Sequence, residues 1–297
     1  MRLVSSLVLA AALAGFASPS FAQTQPENEV EEVTVIGRPL REAVQSFVEE
    51  VGVAQRDQNL ARWDRRVCVG VVNMNNRYAQ ILADQVSAVA MVVGLQPGDP
   101  GCRPNILILA DSDGDALARA LVEEDPQVFR PDIGNTNLGR DALEHFQTSG
   151  APVRWWSVTY TRTAAFGVTA SRLRQSHEEA LGHVIIILDT SRIGQVSFAS
   201  LADYISMVAL AQVDAQIDPT GYDTVFNLFT PNGSRTQRMT DWDLAYLRAL
   251  YEMRGDAADP ERQARQIALE ASREIQAQAE AERAAGEAEA AAASPED

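Results

Sequence analysis

Hydrophobic and polar positions alternate along the chain in blocks that change period several times. Leu3 to Phe16 is almost wholly apolar behind the positive Met1-Arg2 start. It is followed by Ser20-Phe21-Ala22, small residues at the −3 and −1 positions of a cut before Gln23. That tripartite form predicts a secretory signal peptide over residues 1–22, and the apolar run is too short to span a bilayer. Residues 23–32 are polar and acidic and are expected to be disordered. Val33 to Ile36 reads as a short strand closed by Gly37-Arg38-Pro39, and Leu40, Val44, Phe47 and Val51 mark one stripe of a helix.

The clearest unit spans residues 67–110. Val67 to Val72 is a short β-branched run, and Tyr78 to Leu95 carries Ile81, Leu82, Val86, Val89 and Val93 at helical spacing. Asn105 to Ala110 is a second apolar run, with a helix over Asp115 to Glu124 after it. Near-continuous apolar strands separated by a helix predict a parallel βαβ pair. Asp125 to Gly150 reads as irregular. Val153 to Thr161 predicts a strand with a hairpin partner at Ala165 to Thr169. A helix ending at Gly182 precedes a strand over His183 to Asp189. Ser200 to Val213 predicts a central helix, apolar on most sides. Thr240 and Asp243 form a capping box ahead of Leu244, Leu247, Leu250 and Tyr251. The fold class is therefore α+β: a mixed sheet holding one parallel βαβ unit, a later hairpin and strand, and C-terminal core helices. A single domain is expected over residues 33–253.

From residue 254 the composition shifts to 11 acidic and 5 basic residues with many alanines, and no apolar stripe continues past Ile275. A solvated helix fraying into disorder is expected there, with a coiled-coil arm as the alternative. The whole chain has a formal net charge of −16, which argues against nucleic acid or anionic lipid as partners. All 25 basic residues are arginine. Chemistry that needs a lysine, whether Schiff base, P-loop or general base, is thereby excluded. No later stretch is long and apolar enough for a membrane span, and the protein is expected in the periplasm or secreted.

Cys68 and Cys102 are the only cysteines, and both fall at the same edge of the predicted parallel pair. In an exported chain this predicts a disulfide, stabilising by about 3 to 4 kcal/mol on the chain-entropy estimate. His177 and His183 stand six residues apart, two more than the four-residue spacing of a zinc helix. No metal site is expected from them or from His145, and nothing calls for a cofactor. Asp111-Ser112-Asp113-Gly114-Asp115 has its glycine too early for an EF-hand and reads as a helix cap. Asp111 and Asp113 nevertheless follow a parallel strand, where α/β folds place ligands. Asp203, Tyr204, Asn227 and Asp243 are polar residues embedded in apolar segments, the further binding candidates. No catalytic residue is assigned.

Three segments together, C-V-G-V-V-N-M with G-C-R-P-N-I-L-I-L, L-A-D-Y-I-S-M-V-A-L-A-Q, and D-T-V-F-N-L-F with M-T-D-W-D-L-A-Y-L-R-A-L-Y, resemble a family of exported alphaproteobacterial proteins without an assigned activity. The likeness covers residues 33–252. The order of a helix, an N-L-F segment and a T-x-x-D helix also resembles the C-terminal half of zincin-like proteins. That resemblance implies a degenerate relative, because Asp203-Tyr204 stands where a metal-binding His-Glu pair would be. Residues 31–38, E-E-V-T-V-I-G-R, resemble the segment after the signal in TonB-dependent receptors, which implies a contact with an envelope protein; as a plain reading they are the first strand of the domain. The function expected is that of a non-catalytic exported binding or envelope accessory protein. The alternative is a divergent hydrolase, metallopeptidase-like or carboxylate-based.

Overall fold

Four strands, β3 (Val69–Val72), β4 (Ile106–Asp111), β5 (Val153–Thr163) and β6 (His177–Asp189), make a mixed sheet in the order β3-β4-β6-β5. The computed structural model describes residues 34–35, 38–53, 58–130, 139–163, 177–230, 238–253 and 259–293. The expected signal peptide, the segment 23–32 and the hairpin partner at 165–169 lie outside the described residues. Ahead of the sheet, β1 (Thr34–Val35) pairs antiparallel with β2 (Arg38–Pro39) and leads into α1 (Leu40–Val51).

β3 and β4 are parallel, as the apolar runs imply, and α2 (Asn76–Val92) connects them. β6 extends the parallel order on the far side of β4, so that Asp111 and Asp189 stand in register at the C-terminal end of the two strands. β5 closes the sheet antiparallel to β6, with a register shift after Val158. Among the described residues the antiparallel partner of β5 is β6. The helix expected before His183 is instead the first half of this strand. Cross-strand bonds explain the override: Glu178 takes an ion pair from Arg162, and the Thr161 hydroxyl donates to Glu179 at 2.9 Å. These pairs suit polar residues on a ladder, and helical periodicity in E-E-A-L-G was never strong.

The sheet carries a layer on each face. Successive residues of a strand point to opposite faces, and Trp155 and Trp156 accordingly enter different cores. The smaller core joins Trp156 and Ile187 to Ala118 of α3 (Gly114–Glu124) and Phe146 of α4 (Arg140–Thr148). α4 lies in the stretch read as irregular; nine residues with one fully buried side chain leave little periodicity to read. The larger core joins Trp155, Ile106 and Ile186 to α1, α2, α5 (Phe198–Leu210), α6 (Asp241–Glu252) and α7 (Pro260–Ala293). Every residue of α5 from Ser200 to Leu210 is buried.

α7 departs from the expected solvated tail. Its first half packs on α1 and α6 and buries Gln263, Ile267, Ala268, Ala271 and Ile275. No described residue of the helix beyond Ile275 is buried. Two alanines and a glutamine among the buried positions give this face too little hydrophobic contrast to stand out in the sequence.

The predicted disulfide joins Cys68 and Cys102, with their Cα atoms 6.1 Å apart. It ties the residue before β3 to the loop before β4. The same loop holds Gly98, whose amide donates to Val67 O at 2.7 Å. A Cβ at that position would come within 2.6 Å of the Cys102 sulfur, so the bridge requires a glycine there.

Candidate functional site

Of the carboxylates singled out in the sequence, Asp203 and Asp243 are buried and already occupied. Asp243, in the first turn of α6, accepts from the Thr224 hydroxyl at 2.6 Å and from the amides of Val225 at 2.8 Å and Thr240 at 2.9 Å. The capping box with Thr240 is complete. Burial nevertheless pushes the Asp243 carboxyl up to about 6, against the hydrogen bonds that favour its charge. Asp203, on α5, accepts from Gln85 at 2.6 Å, from Arg238 at 2.5 Å and from the Met239 amide at 2.9 Å. Asp203 and Asp243 thus hold two consecutive amides, Met239 and Thr240, and pin the entrance of α6 to α5. Tyr204 is buried edge-on against Phe226 and Phe229, which lie in the 3-10 turn Val225–Phe229. Asn227 of that turn donates to Tyr222 O at 2.8 Å. These four residues are brought close together, in the role of a fold-locking cluster.

Asp111 and Asp113 meet a second network at the C-terminal end of the parallel strands. Asp111 accepts from the Asp113 amide, and Asp113 caps α3 through the Ala116 amide, each at 2.9 Å. Beside them Asp189 accepts from the Gly114 amide at 3.1 Å and from the Ser191 hydroxyl at 2.6 Å. Burial acts to raise the Asp189 carboxyl, and the bonds from Ser191 and Gly114 with the Arg192 charge bring it below the usual range. The approach is close at residue 114, where a Cβ would lie 3.0 Å from the Asp189 carboxylate and push it by a few tenths of an ångström. Asp115 completes the network: Arg192 grips it with two bonds of 3.1 Å, and the buried Arg154 pairs with its Oδ1 as well. Arg192 first, then Arg154, hold its carboxyl down at about 2. The α3 N-terminus, which in other α/β sheets faces an anion, is here satisfied by Asp113 and Asp189.

Among the described residues no group of three or more His, Cys, Asp or Glu converges as a metal site. His183 lies on β6 opposite Val158, and burial together with Arg65 and Arg103 lowers its pKa. His145 lies in the last turn of α4, and burial lowers its pKa as well. The side chain of His177 lies outside the described residues.

A site that periodicity does not reveal is built by the strap, residues 58–67, which runs between the sheet and α7. Its backbone is bonded almost residue by residue to distant elements. Leu60 N donates to Gln263 Oε1 at 2.5 Å, and Gln263 Nε2 donates back to Leu60 O at 3.2 Å. Ala61 N donates to Gln212 Oε1 at 2.9 Å, Leu181 N of β6 donates to Arg62 O at 3.0 Å, and Trp63 N donates to the Tyr251 hydroxyl at 3.3 Å. The Trp63 indole donates to Ala209 O at 2.8 Å. So fixed, the strap forms one side of a cleft of about 500 Å3 with Arg62, Trp63 and Asp64. Val92, Val93, Gly94 and Leu95, at the end of α2, form an apolar wall. Arg162 of β5 and Arg248, Tyr251 and Glu252 of α6 complete it. The volume lies in the range of small-molecule sites, and five of the eleven lining residues are charged beside the short apolar wall. The run R-W-D-R-R at residues 62–66 is the one sequence signal that could have pointed here, as an arginine cluster in an acidic chain.

The fold and the cleft define an α+β protein with a mixed four-stranded sheet between two helical layers. No family model, curated protein or solved structure matches the chain. No helix of the described residues is long and apolar enough to cross a membrane.

Proposed function

We propose that the chain is an exported, non-catalytic binding protein that acts in the periplasm or outside the cell and holds its ligand in the cleft between the strap and α2. The observation that carries this reading is the open cleft between the strap and the end of α2, beside buried carboxylates that serve the fold. Asp203, Asp243, Asp189 and Asp115 each serve several protein donors, which leaves them committed to the fold. The cleft is an open volume of about 500 Å3, and its arginines Arg162 and Arg248 stand at its edge in ion pairs with Glu178 and Glu274. The helix that the zincin resemblance assigns to metal binding, α5, carries no histidine, and its Asp203 and Tyr204 are buried. The signal-like N-terminus and the disulfide support the exported location.

Native mass spectrometry of the mature protein, purified from an envelope extract and titrated with small-molecule pools, tests the reading. A Val92→Trp variant fills the cleft from an exposed position. The wild type is expected to retain bound species that the variant loses. Equal retention by both, or peptide hydrolysis that persists in the variant, would overturn the proposal.

A further inference from the structure

The large apolar side chains left exposed gather in one stretch of the chain. Among the described residues they are Val72, at the end of β3, and Tyr78, Ile81, Met91 and Val92 on the α2 that follows, each 43 to 60 % exposed. α2 is apolar on two sides. Leu82, Val86, Val89 and Ala90 are buried in the core. Tyr78, Ile81, Gln85, Ala88 and Val92 recur along the other side at alternating steps of three and four residues, the spacing of a coiled-coil seam. The outer side of a surface helix is ordinarily charged. Here Asp84 is the one charged residue from Tyr78 to Val92, and Gln80 already donates to it at 2.6 Å. The seam is also braced by α5. The Tyr78 ring rests on Phe198 with centroids 5.1 Å apart, and Gln85, the one polar member, donates to Asp203 at 2.6 Å.

We propose that this seam joins two copies of the chain, α2 packing antiparallel on α2 about a two-fold axis. Charge selects the occupant. At −16 per copy, two molecules repel over most of their surface and can meet closely only through a face that carries little charge. The seam is such a face, and a basic partner drawn by the acidic surface gains nothing from it. Spacing selects the direction. In an antiparallel pair Ile81 lies opposite the partner's Val92 and Gln85 opposite the partner's Ala88, because 81 and 92 are centred on the same point of the helix as 85 and 88. A parallel pair would set the two Asp84 side chains side by side, whereas this register moves them apart by about 7.5 Å along the axis. The four exposed side chains of α2 offer on the order of 400 Å2 of apolar surface per copy, about half of the ~800 Å2 per partner in a standard interface. The polar flanks supply the rest, and a micromolar affinity is expected.

The inference goes beyond the cleft reading and does not depend on it. Val92 belongs to both surfaces, but Ile81 and Met91 do not line the cleft. Sedimentation equilibrium of the oxidised mature protein, from about 1 to about 200 µM, should show monomer passing to dimer with a Kd on the order of 10 µM. Raising the salt to about 0.5 M should preserve or strengthen the dimer, since it screens the repulsion between copies. Ile81→Glu and Met91→Glu should each weaken association at least ~10-fold, while Ala285→Glu, the same charge on the exposed distal part of α7, should leave it within about 2-fold. Both seam positions are exposed, so the urea midpoints of the two variants at about 1 µM should match that of wild type. In a mixture of Ile81→Cys and Val92→Cys variants, the mixed disulfide should form in preference to either self-pair. A monomer throughout the concentration range overturns the proposal, as does a dimer that dissolves in salt or that both glutamate variants leave intact. Self-pairing of Ile81→Cys overturns the antiparallel register. Loss of the dimer with cleft ligand retained, as Met91→Glu should show, separates this interface from the cleft reading.

Discussion

Gln263 offers a direct measure of how far α7 belongs to the domain. Its side chain both accepts from and donates to the backbone of Leu60, and both residues are buried. Gln263→Ala leaves one buried N–H and one buried C=O without a partner. Each such group costs about 1–3 kcal/mol, and a water entering the vacated space recovers part of it, so the expected loss is about 2–4 kcal/mol. Gln263→Glu keeps an acceptor for Leu60 N, removes the donor to Leu60 O and places a charge in the interior. It should cost at least as much at neutral pH and less at low pH, where the carboxyl is protonated and can donate. Deleting residues 276–297 removes no buried described residue, and should change stability by less than about 1 kcal/mol. The assay is urea unfolding of the oxidised mature protein, followed by tryptophan fluorescence and far-ultraviolet circular dichroism together. Coincident transitions are required for the comparison. Gln263→Ala within 0.5 kcal/mol of wild type would refute the view that the strap depends on this pair, as would an equal loss in the 276–297 deletion.

Three further perturbations have defined outcomes. Asp115, held down at about 2 by Arg192 and Arg154, contributes stability that is present above its unfolded pKa near 3.8 and lost as pH falls through 2. Asp115→Asn should therefore cost about 1 kcal/mol at pH 7, after discounting for its exposure, and the gap should close in acid, as urea midpoints measured from pH 2 to pH 7 will show. Asp243 has the opposite sign: its carboxyl is raised by burial to about 6, so its contribution is present below pH 3.8 and lost as pH rises through 6. Wild type should lose up to about 3 kcal/mol over that window from this group, a component that Asp243→Asn must abolish if the slope has this origin. Replacing both cysteines with serine should lower stability by about 3 to 4 kcal/mol, measured by the same unfolding curves; a loss below 1 kcal/mol would show that the loop before β4 is held by its backbone bonds alone.

The elements that could be read from the sequence were those whose burial is written in large apolar side chains. Ile106, Ile108 and the Val-Ile-Ile-Ile-Leu run of β6 announce central strands, and Thr240 with Asp243 announces a helix start. What escaped was written in pairings instead. The first half of β6 is polar, and its strand character comes from Thr161 and Arg162 on the neighbouring strand. The buried face of α7 mixes two isoleucines with Gln263, Ser272 and two alanines, a pattern of little hydrophobic contrast. Asp203, Tyr204, Asn227 and Asp243 were legible as polar residues in apolar surroundings, but sequence cannot tell a carboxylate awaiting a ligand from one that holds a loop. The cleft was least legible. Its strap has no periodicity because its partners, Gln212, Tyr251 and Gln263, lie 151 to 203 residues away.

That last separation bears on the life of the chain before it is folded. Leu60 can close onto Gln263 only when 203 further residues have become available. A chain emerging N-terminus first holds its parallel strands and its arginine-rich strap without the latch that fixes them. Contacts of such long range delay completion of the interior, which would suit the exported location proposed above. The glutamine near the end of the sequence then acts as the last stitch of the fold.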